Sequence, residues 1–231
     1  MAADLPPLSV ADALREAIAH HHAGRLPEAE RLYRAILRVQ PGHPDAHHNL
    51  GVLICQTGRP ADALPHLASA LASNPASAQY ALSHANALLE AGRAGEALQA
   101  LRAASSRGLD APGAKAVRQR AETAILAPLA ALFQAGRHPE LQAMARTLLA
   151  EQPDLGFVWK ALGVSLLAEG KSDMAVWRKA AELLPGDAEM HYNLGLALHN
   201  GGQPGDALAC WRRALEIRPD FAEAHNPKKS S

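Results

Sequence analysis

Proline recurs along this chain at a nearly fixed distance, and that interval limits the possible folds more than any other feature of the sequence. Pro41 and Pro75 are 34 residues apart, as are Pro185 and Pro219, while Pro153 precedes Pro185 by 32 residues. A sequence period of about 20–50 residues is typical of proteins that stack one small structural unit repeatedly. The sequence therefore predicts a repeat architecture in which each unit ends near a proline.

Two further landmarks recur inside these intervals. A Leu-Gly step stands at 50–51, 162–163 and 194–195, and a glycine turn stands at Gly58, Gly92, Gly136 and Gly202. Glycine often ends a helix because it adopts a left-handed backbone without steric cost. Each interval is therefore predicted to hold two helices joined by a short turn. Counting from these landmarks gives six helix pairs, near residues 10–43, 44–77, 78–111, 122–155, 156–187 and 188–221.

The small residues of these pairs predict how the two helices of a pair pack together. We expect three glycines of first helices to face three alanines of second helices. These expected contacts are Gly51 with Ala63, Gly163 with Ala175, and Gly195 with Ala207. Small residues on both sides would let the two helix backbones approach closely.

The residues around these steps resemble the signature of the tetratricopeptide repeat family. That signature places an aromatic residue, a Leu-Gly step, an alanine, a second aromatic residue and a proline at fixed distances. The matching columns of the last two pairs hold Trp159, Leu162, Gly163, Ala175, Ala207, Trp211, Ala214 and Pro219. The resemblance implies an all-α fold, namely a right-handed superhelical solenoid of about six helix-turn-helix repeats. It also implies a scaffold that binds another protein.

The repeat pattern is irregular at two places. Ten extra residues, 112–121, separate the third and fourth pairs, and the fifth pair is two residues short between Gly163 and Trp177. Since two residues turn a helix by about 200°, the shortening must be absorbed in the turn 169–173 or by refacing the start of the second helix. The predicted domains are an N-terminal tail (1–9), repeats 1–3 (10–111), an insertion or joint (112–121), repeats 4–6 with the start of a seventh (122–225) and a tail (226–231).

The charge balance argues against nucleic acid and membrane partners. Lysine plus arginine and aspartate plus glutamate both total 23, so the net charge is zero and no long-range field attracts phosphate or anionic lipid. The sequence has no basic leader followed by an apolar core, and no run of about 20 apolar residues. We therefore expect a cytoplasmic protein. Its two cysteines, Cys55 and Cys210, lie too far apart to indicate a disulfide framework.

Twelve histidines raise the question of a metal site. Consecutive residues of a helix point about 100° apart, so the run 20–22 cannot converge on one ion. No cluster of cysteine or carboxylate residues completes a tetrahedral set. We therefore expect no metal and no cofactor, and because no catalytic motif is present, we expect that this chain is not an enzyme.

The family resemblance places the first helices on the inner, concave side of the stack. Along them, residues opposite the Leu-Gly edge form a stripe in which amides alternate with apolar side chains. Such a surface suits an extended peptide, whose backbone needs hydrogen-bond partners and whose side chains need pockets. The predicted peptide-binding residues are Asp45, His48, Asn49, Gln56, Asn86, Glu90, Lys160, Glu189, Tyr192, Asn193, His199 and Asn200.

Two alternatives to a general protein-binding scaffold remain open. The segments 24–33 and 44–51 resemble repeat arrays that precede the catalytic domain in bacterial proteins similar to O-linked N-acetylglucosamine transferases, in which groove asparagines hold substrate peptide. Asn49 and Asn193 occupy the matching columns, which implies the substrate-recruiting part of a glycosyltransferase whose catalytic domain is missing here. The second alternative is a structural array that forms a homo-oligomer through an uncapped C-terminal end.

Overall fold

The computed structural model describes residues 9–109 and 111–225, which form helices joined by short turns. The predicted tails, 1–9 and 226–231, lie outside the described residues except for Ser9. The helices are α1 (Val10–His22), α2 (Leu26–Val39), α3 (Pro44–Gln56), α4 (Pro60–Ser73), α5 (Ala78–Glu90), α6 (Ala94–Ser105), α7 (Ala114–Gln134), α8 (His138–Glu151), α9 (Gly156–Ala168), α10 (Met174–Leu183), α11 (Ala188–Asn200), α12 (Pro204–Ile217) and α13 (Ala222–His225). The prediction of an all-α fold with about six helix pairs is confirmed.

Each predicted glycine turn ends a first helix. The turn glycines all have φ between 68° and 77°, and they are Gly24, Gly58, Gly92, Gly136, Gly170 and Gly202. At the end of α3, the N–H of Gly58 donates to the carbonyl of Cys55 at 2.9 Å, and the N–H of Arg59 donates to the carbonyl of Ile54 at 3.2 Å. These two bonds satisfy carbonyls that the end of a helix leaves open. Pro60 then begins α4, at the helix position where proline is most favourable.

The packing of small residue against small residue within a pair is a wrong prediction. A Cβ added to Gly51 would lie 2.6 Å from Cγ of Leu67, and one added to Gly163 would lie 2.8 Å from Cζ2 of Trp177. A Cβ added to Gly195 would overlap Nε1 of Trp211. In these three pairs, the glycine of the first helix therefore makes room for a large side chain of the second helix, which fills the notch that the missing Cβ leaves.

Of the three alanines that were expected to occupy equivalent positions in the second helices, Ala175 does not. Ala63 and Ala207 are fully buried, whereas Ala175 is exposed. The equivalence of Ala175 with the other two assumed that the second helix of the fifth pair keeps the same distance from Gly163. The glycine contact with Trp177 instead defines the register, and it places the deletion ahead of Ala175.

The two-residue shortening of the fifth pair is absorbed between α9 and α10. The turn 169–173 has five residues, where the turn between α11 and α12 has three, and α10 has ten residues where α12 has fourteen. Asp173 caps the late start of α10, since its carboxylate accepts from the N–H groups of Ala175 at 3.0 Å and Val176 at 3.4 Å. The turn gains two residues and the second helix loses four at its start, where Ala175 is exposed, so the shortening falls on the start of the second helix.

Part of the predicted insertion is helical. Helix α7 begins at Ala114 and runs without interruption to Gln134, so residues 114–121 add two turns ahead of the expected start at 122. Alanine, lysine, arginine and glutamine dominate this segment, and all are strong helix formers. The role of 112–121 as a joint stays a prediction.

The chain forms two compact units, whose boundary in the sequence lies between Ile125 and Leu126. In unit 1, the first helices α1 and α3 contact each other, as do α3 and α5; in unit 2, α9 contacts α11. Each unit therefore presents a surface made by neighbouring first helices. Among the helices of residues 9–109 and 111–225, none has the length and apolar character needed to cross a membrane.

Candidate functional site

The first helices of unit 1 enclose an open groove of about 430 Å³. Three of the predicted peptide-binding residues, Gln56, Asn86 and Glu90, line it. The complete lining is Val52, Cys55, Gln56, Leu67, Gln79, Leu82, Ser83, Asn86, Glu90, Gly113 and Val117. The structure therefore brings the predicted stripes of α3 and α5 together, and it adds the start of α7, which the sequence placed in an insertion.

Hydrogen bonds hold the polar side chains of this groove in place. The amide of Asn86 donates to Oε1 of Glu90 at 2.8 Å and accepts from the guanidinium of Arg120 at 3.1 Å. Oε1 of Gln56 lies 2.8 Å from Nε2 of His21. Burial, aided by the charge of Glu90, raises the pKa of the Cys55 thiol to about 11, so this cysteine stays protonated. The groove thus offers oriented, mostly neutral polar groups.

Three other predicted residues of α3 do not line the groove: His48 and Asp45 connect α3 to α5, and Asn49 contacts His48. Nε2 of His48 lies 2.9 Å from Oγ of Ser83, and the His48 ring stacks on Tyr80 with centroids 4.6 Å apart. The hydroxyl of Tyr80 donates to Asp45, and Oδ1 of Asn49 lies 3.3 Å from Nδ1 of His48. Burial lowers the pKa of His48, although Asn49 and Asp45 partly oppose this shift. These side chains stabilise the contact between neighbouring first helices.

A second groove, of about 380 Å³, lies on the first helices of unit 2 and is mainly apolar. Of the predicted residues, Lys160 and Glu189 line it. The complete lining is Leu126, Leu129, Ala130, Phe133, Gln134, Leu141, Phe157, Lys160, Ala161, Val164, Leu184, Asp187 and Glu189. Apolar side chains from α7 and α9 form most of this wall, and charged groups are confined to the end near the start of α11.

The charged end is an ion cluster around one lysine. Nζ of Lys160 donates to Oδ2 of Asp187 at 2.9 Å and to Oε2 of Glu189 at 2.6 Å. Burial works to lower the pKa of Lys160, but the two carboxylates outweigh it and hold that pKa above its usual value. Burial likewise works to raise the pKa of Asp187, yet bonds from Lys160 and the N–H of Met190 keep it below the usual range. Lys160 and Asp187 are therefore both charged at neutral pH.

The remaining predicted residues lie on α11 and do not line this groove. Tyr192 is only 6% exposed, and its ring packs on Phe221 with centroids 5.3 Å apart, so its side chain belongs to the core. Asn193 is half-buried, whereas His199 and Asn200 are exposed in the last turn of the helix. The sequence could not show that Phe221 covers Tyr192.

The structure adds groove residues that the prediction omitted. Leu126, Ala130 and Gln134 occupy the same positions along α7 that His48, Val52 and Gln56 occupy along α3. Continuing the stripe into the fourth pair would have found them. Asp187 is recognisable in the sequence by another feature, its place immediately before α11. There it caps the helix by accepting from the N–H of Met190 at 3.0 Å.

The histidine clusters make local contacts instead of forming one centre. Nδ1 of His47 lies 3.1 Å from Nδ1 of His66, and Nε2 of His47 lies 2.7 Å from the carbonyl of Pro41. Within the part of the chain that the structure describes, no three histidine, cysteine, aspartate or glutamate side chains are grouped so that they could hold a metal ion.

Comparison with known proteins finds the repeat in two places. Two family models described as tetratricopeptide repeat match residues 20–86 and 188–221. No curated protein sequence matches the chain.

Several solved structures of repeat proteins are similar to this chain at low sequence identity. A tetratricopeptide repeat protein from Parabacteroides merdae is 16% identical, with 98% of this chain and 86% of that chain covered and a TM-score of 0.48. The P58(IPK) TPR domain is also 16% identical, covering 95% of this chain and 63% of that one, with a TM-score of 0.48. YrrB, described as a TPR protein with an unusual peptide-binding site, is 17% identical, with 85% of this chain and 97% of that chain covered and a TM-score of 0.41.

Proposed function

We propose that this chain, which is a tetratricopeptide repeat protein, binds an extended segment of another protein along the first helices of its repeats. The observation that carries the proposal is the pair of open grooves, one in each unit, whose walls are built from neighbouring first helices. The volumes of both grooves lie within the range that is usual for ligand-binding pockets, about 300–1,000 Å³.

The chemistry of the unit 1 groove suits a peptide backbone. A helix satisfies its own backbone groups, so a wall made of helices must recognise a partner through side chains. Gln56, Gln79 and Asn86 supply amide donors and acceptors, while Val52 and Leu82 supply apolar contact between them. An extended segment presents backbone N–H and C=O groups together with side chains, so it can use both kinds of contact.

The chemistry of the unit 2 groove suits apolar side chains. Phe133, Phe157 and Val164 leave carbon surface facing the groove, and Phe133 is 38% exposed. Covering this surface removes it from water, which favours binding by about 25 cal/mol for each Å² of apolar area. The proposal is therefore a binding function with no chemical step, in which each unit contributes a contact of different character.

A selection from a random peptide library displayed on phage, with the purified chain as bait, tests this proposal. Selected peptides are labelled and their affinities measured by fluorescence anisotropy. We expect Val52→Arg or Val164→Arg to weaken binding by more than about tenfold, because each places a long charged side chain in a groove. Ala103→Arg, on the exposed face of α6, is the matched control and is expected to leave affinity unchanged.

Thermal unfolding followed by circular dichroism checks that the three variants remain folded. If no peptide is enriched over a bait of unrelated protein, or if the peptides bind both groove variants as tightly as the control, then the first helices are not the binding surface.

A further inference from the structure

The unit 2 groove ends at a charge cluster with an excess of one negative charge. Lys160, Asp187 and Glu189 are the charged members of its lining, giving one cation and two anions. The cluster sits beside apolar side chains, where water screens charge less than on an open surface. A cationic group brought to this end of the groove therefore meets a net attraction, and an anionic group meets a net repulsion.

The hydrogen bonds of this cluster identify the atom that is left to contact a partner. Asp187 uses Oδ2 for Lys160 and Oδ1 for the N–H of Met190. Glu189 uses Oε2 for Lys160, while its Oε1 accepts no hydrogen bond from any residue that the structure describes. The Glu189 side chain is 56% exposed, compared with 28% for Asp187. Oε1 of Glu189 is thus both accessible and available.

Lys160 differs from a lysine that recognises an anion. Two carboxylates already bind its ammonium group, and its side chain is only 20% exposed. A partner carboxylate would have to compete with two resident ones, which the protein holds in place at no entropic cost to the partner. The lysine therefore fixes the orientation of Glu189 and does not create an anion site.

From these contacts we infer that the unit 2 groove selects a protein segment that carries large apolar side chains next to a lysine or arginine. This inference rests on the proposed function and adds its specificity. The apolar side chains would cover Phe133, Phe157 and Val164, and the cation would donate to Oε1 of Glu189. An uncharged apolar segment and an acidic segment are the alternative occupants of this groove, and peptides of each kind distinguish them from a basic one.

The test uses acetylated and amidated peptides of nine residues, labelled with fluorescein, that share a Leu-Phe-X-Leu core flanked by glycine and serine. X is lysine, glutamine or glutamate, and affinity is measured by fluorescence anisotropy. The lysine peptide is expected to bind about fivefold more tightly than the glutamine peptide, because an exposed ion pair contributes modestly. The glutamate peptide is expected to bind more weakly than both, and the differences should shrink in about 0.5 M salt.

Charge variants of the protein assign the preference to one residue. Glu189→Gln is expected to remove the preference for lysine over glutamine, and Glu189→Lys is expected to reverse the order of the lysine and glutamate peptides. The matched control is Glu182→Lys, since Glu182 is an exposed glutamate of α10 paired with Lys179. That control should keep the wild-type order.

The outcomes separate the inference from the proposed function. If all three peptides bind equally and Val164→Arg weakens them, the groove binds apolar segments but the charge preference is overturned. If Glu182→Lys changes the order as much as Glu189→Lys does, the preference comes from net charge and the inference is overturned. If none of the peptides binds the wild-type chain, or Val164→Arg does not weaken binding, both the inference and the role of this groove fail.

Discussion

The fifth and sixth helix pairs differ in length, but in both a tryptophan of the second helix packs against a glycine of the first helix. Fourteen residues separate Gly163 from Trp177, and sixteen separate Gly195 from Trp211, yet in both pairs the indole ring fills the notch left by the glycine. The five-residue turn 169–173 and the late start of α10 absorb the difference. The comparison shows that the contact between glycine and the large residue defines the register of the second helix, and that the turn adjusts to it.

The two pairs are not equal in polar contacts. Nε1 of Trp211 donates to the carbonyl of Tyr192 at 3.2 Å. Nε1 of Trp177 is buried and has no hydrogen-bond partner among the described residues. A buried N–H without a partner carries a desolvation cost of about 1–3 kcal/mol. The shorter pair therefore keeps the ring contact of the longer pair but lacks its hydrogen bond.

The largest expected change in the free energy of unfolding comes from enlarging one alanine in each of the fifth and sixth pairs. Ala207→Leu adds three carbons at a fully buried position, so we expect the free energy of unfolding to fall by about 3 kcal/mol. Ala175→Leu, at the exposed position that sequence counting equates with it, should change that free energy by less than about 0.5 kcal/mol. Urea unfolding followed by far-ultraviolet circular dichroism measures both. Equal losses would show that the register follows the residue count and not the glycine contact.

A smaller loss is expected when the notch itself is filled. Gly195→Ala places a methyl group against the rigid indole of Trp211, which costs about 1–3 kcal/mol, while the better helix propensity of alanine returns about 1 kcal/mol. Gly163→Ala should behave in the same way against Trp177. Gly205→Ala is the control, because a Cβ there has open space, and it should raise the free energy of unfolding by about 0.5 kcal/mol. Stabilisation by Gly195→Ala, measured in the same urea experiment, would contradict the close contact between Gly195 and the indole of Trp211.

The regular parts of the fold could be predicted from the sequence because periodic features define them. The prolines, the Leu-Gly steps and the turn glycines recur at fixed distances, and five of the six first helices begin at the expected residue. The contacts inside a pair could not be predicted from these columns alone. Counting residues from Gly163 predicts that Ala175 faces this glycine, whereas the shorter interval between Gly163 and Trp177 leaves Ala175 at an exposed position.

The candidate grooves show the same limit. Gln56, Asn86, Glu90, Lys160 and Glu189 could be identified because they continue a stripe along regular first helices. Tyr192 occupies that stripe as well, but Phe221, which follows α12, packs on its ring. The sequence pattern also does not show which side chains bond to each other. Because of these bonds, Asp45 and His48 connect two helices, whereas Oε1 of Glu189 remains available to a partner.

The smallest expected effect concerns the indole hydrogen bond. Trp177→Phe and Trp211→Phe make the same chemical change at two buried tryptophans, so the loss of ring volume is comparable in the two variants. Trp211→Phe also removes a hydrogen bond, whereas Trp177→Phe removes a buried N–H that has no partner. We therefore expect Trp211→Phe to lower the free energy of unfolding by about 1 kcal/mol more than Trp177→Phe. Trp159→Phe, which removes the 2.8 Å bond to the carbonyl of Pro153 at a half-buried site, gives an intermediate reference. Equal losses at positions 177 and 211 in urea unfolding would mean that both indole N–H groups are equally satisfied, and the two pairs would then not differ in the polar contact of their tryptophans.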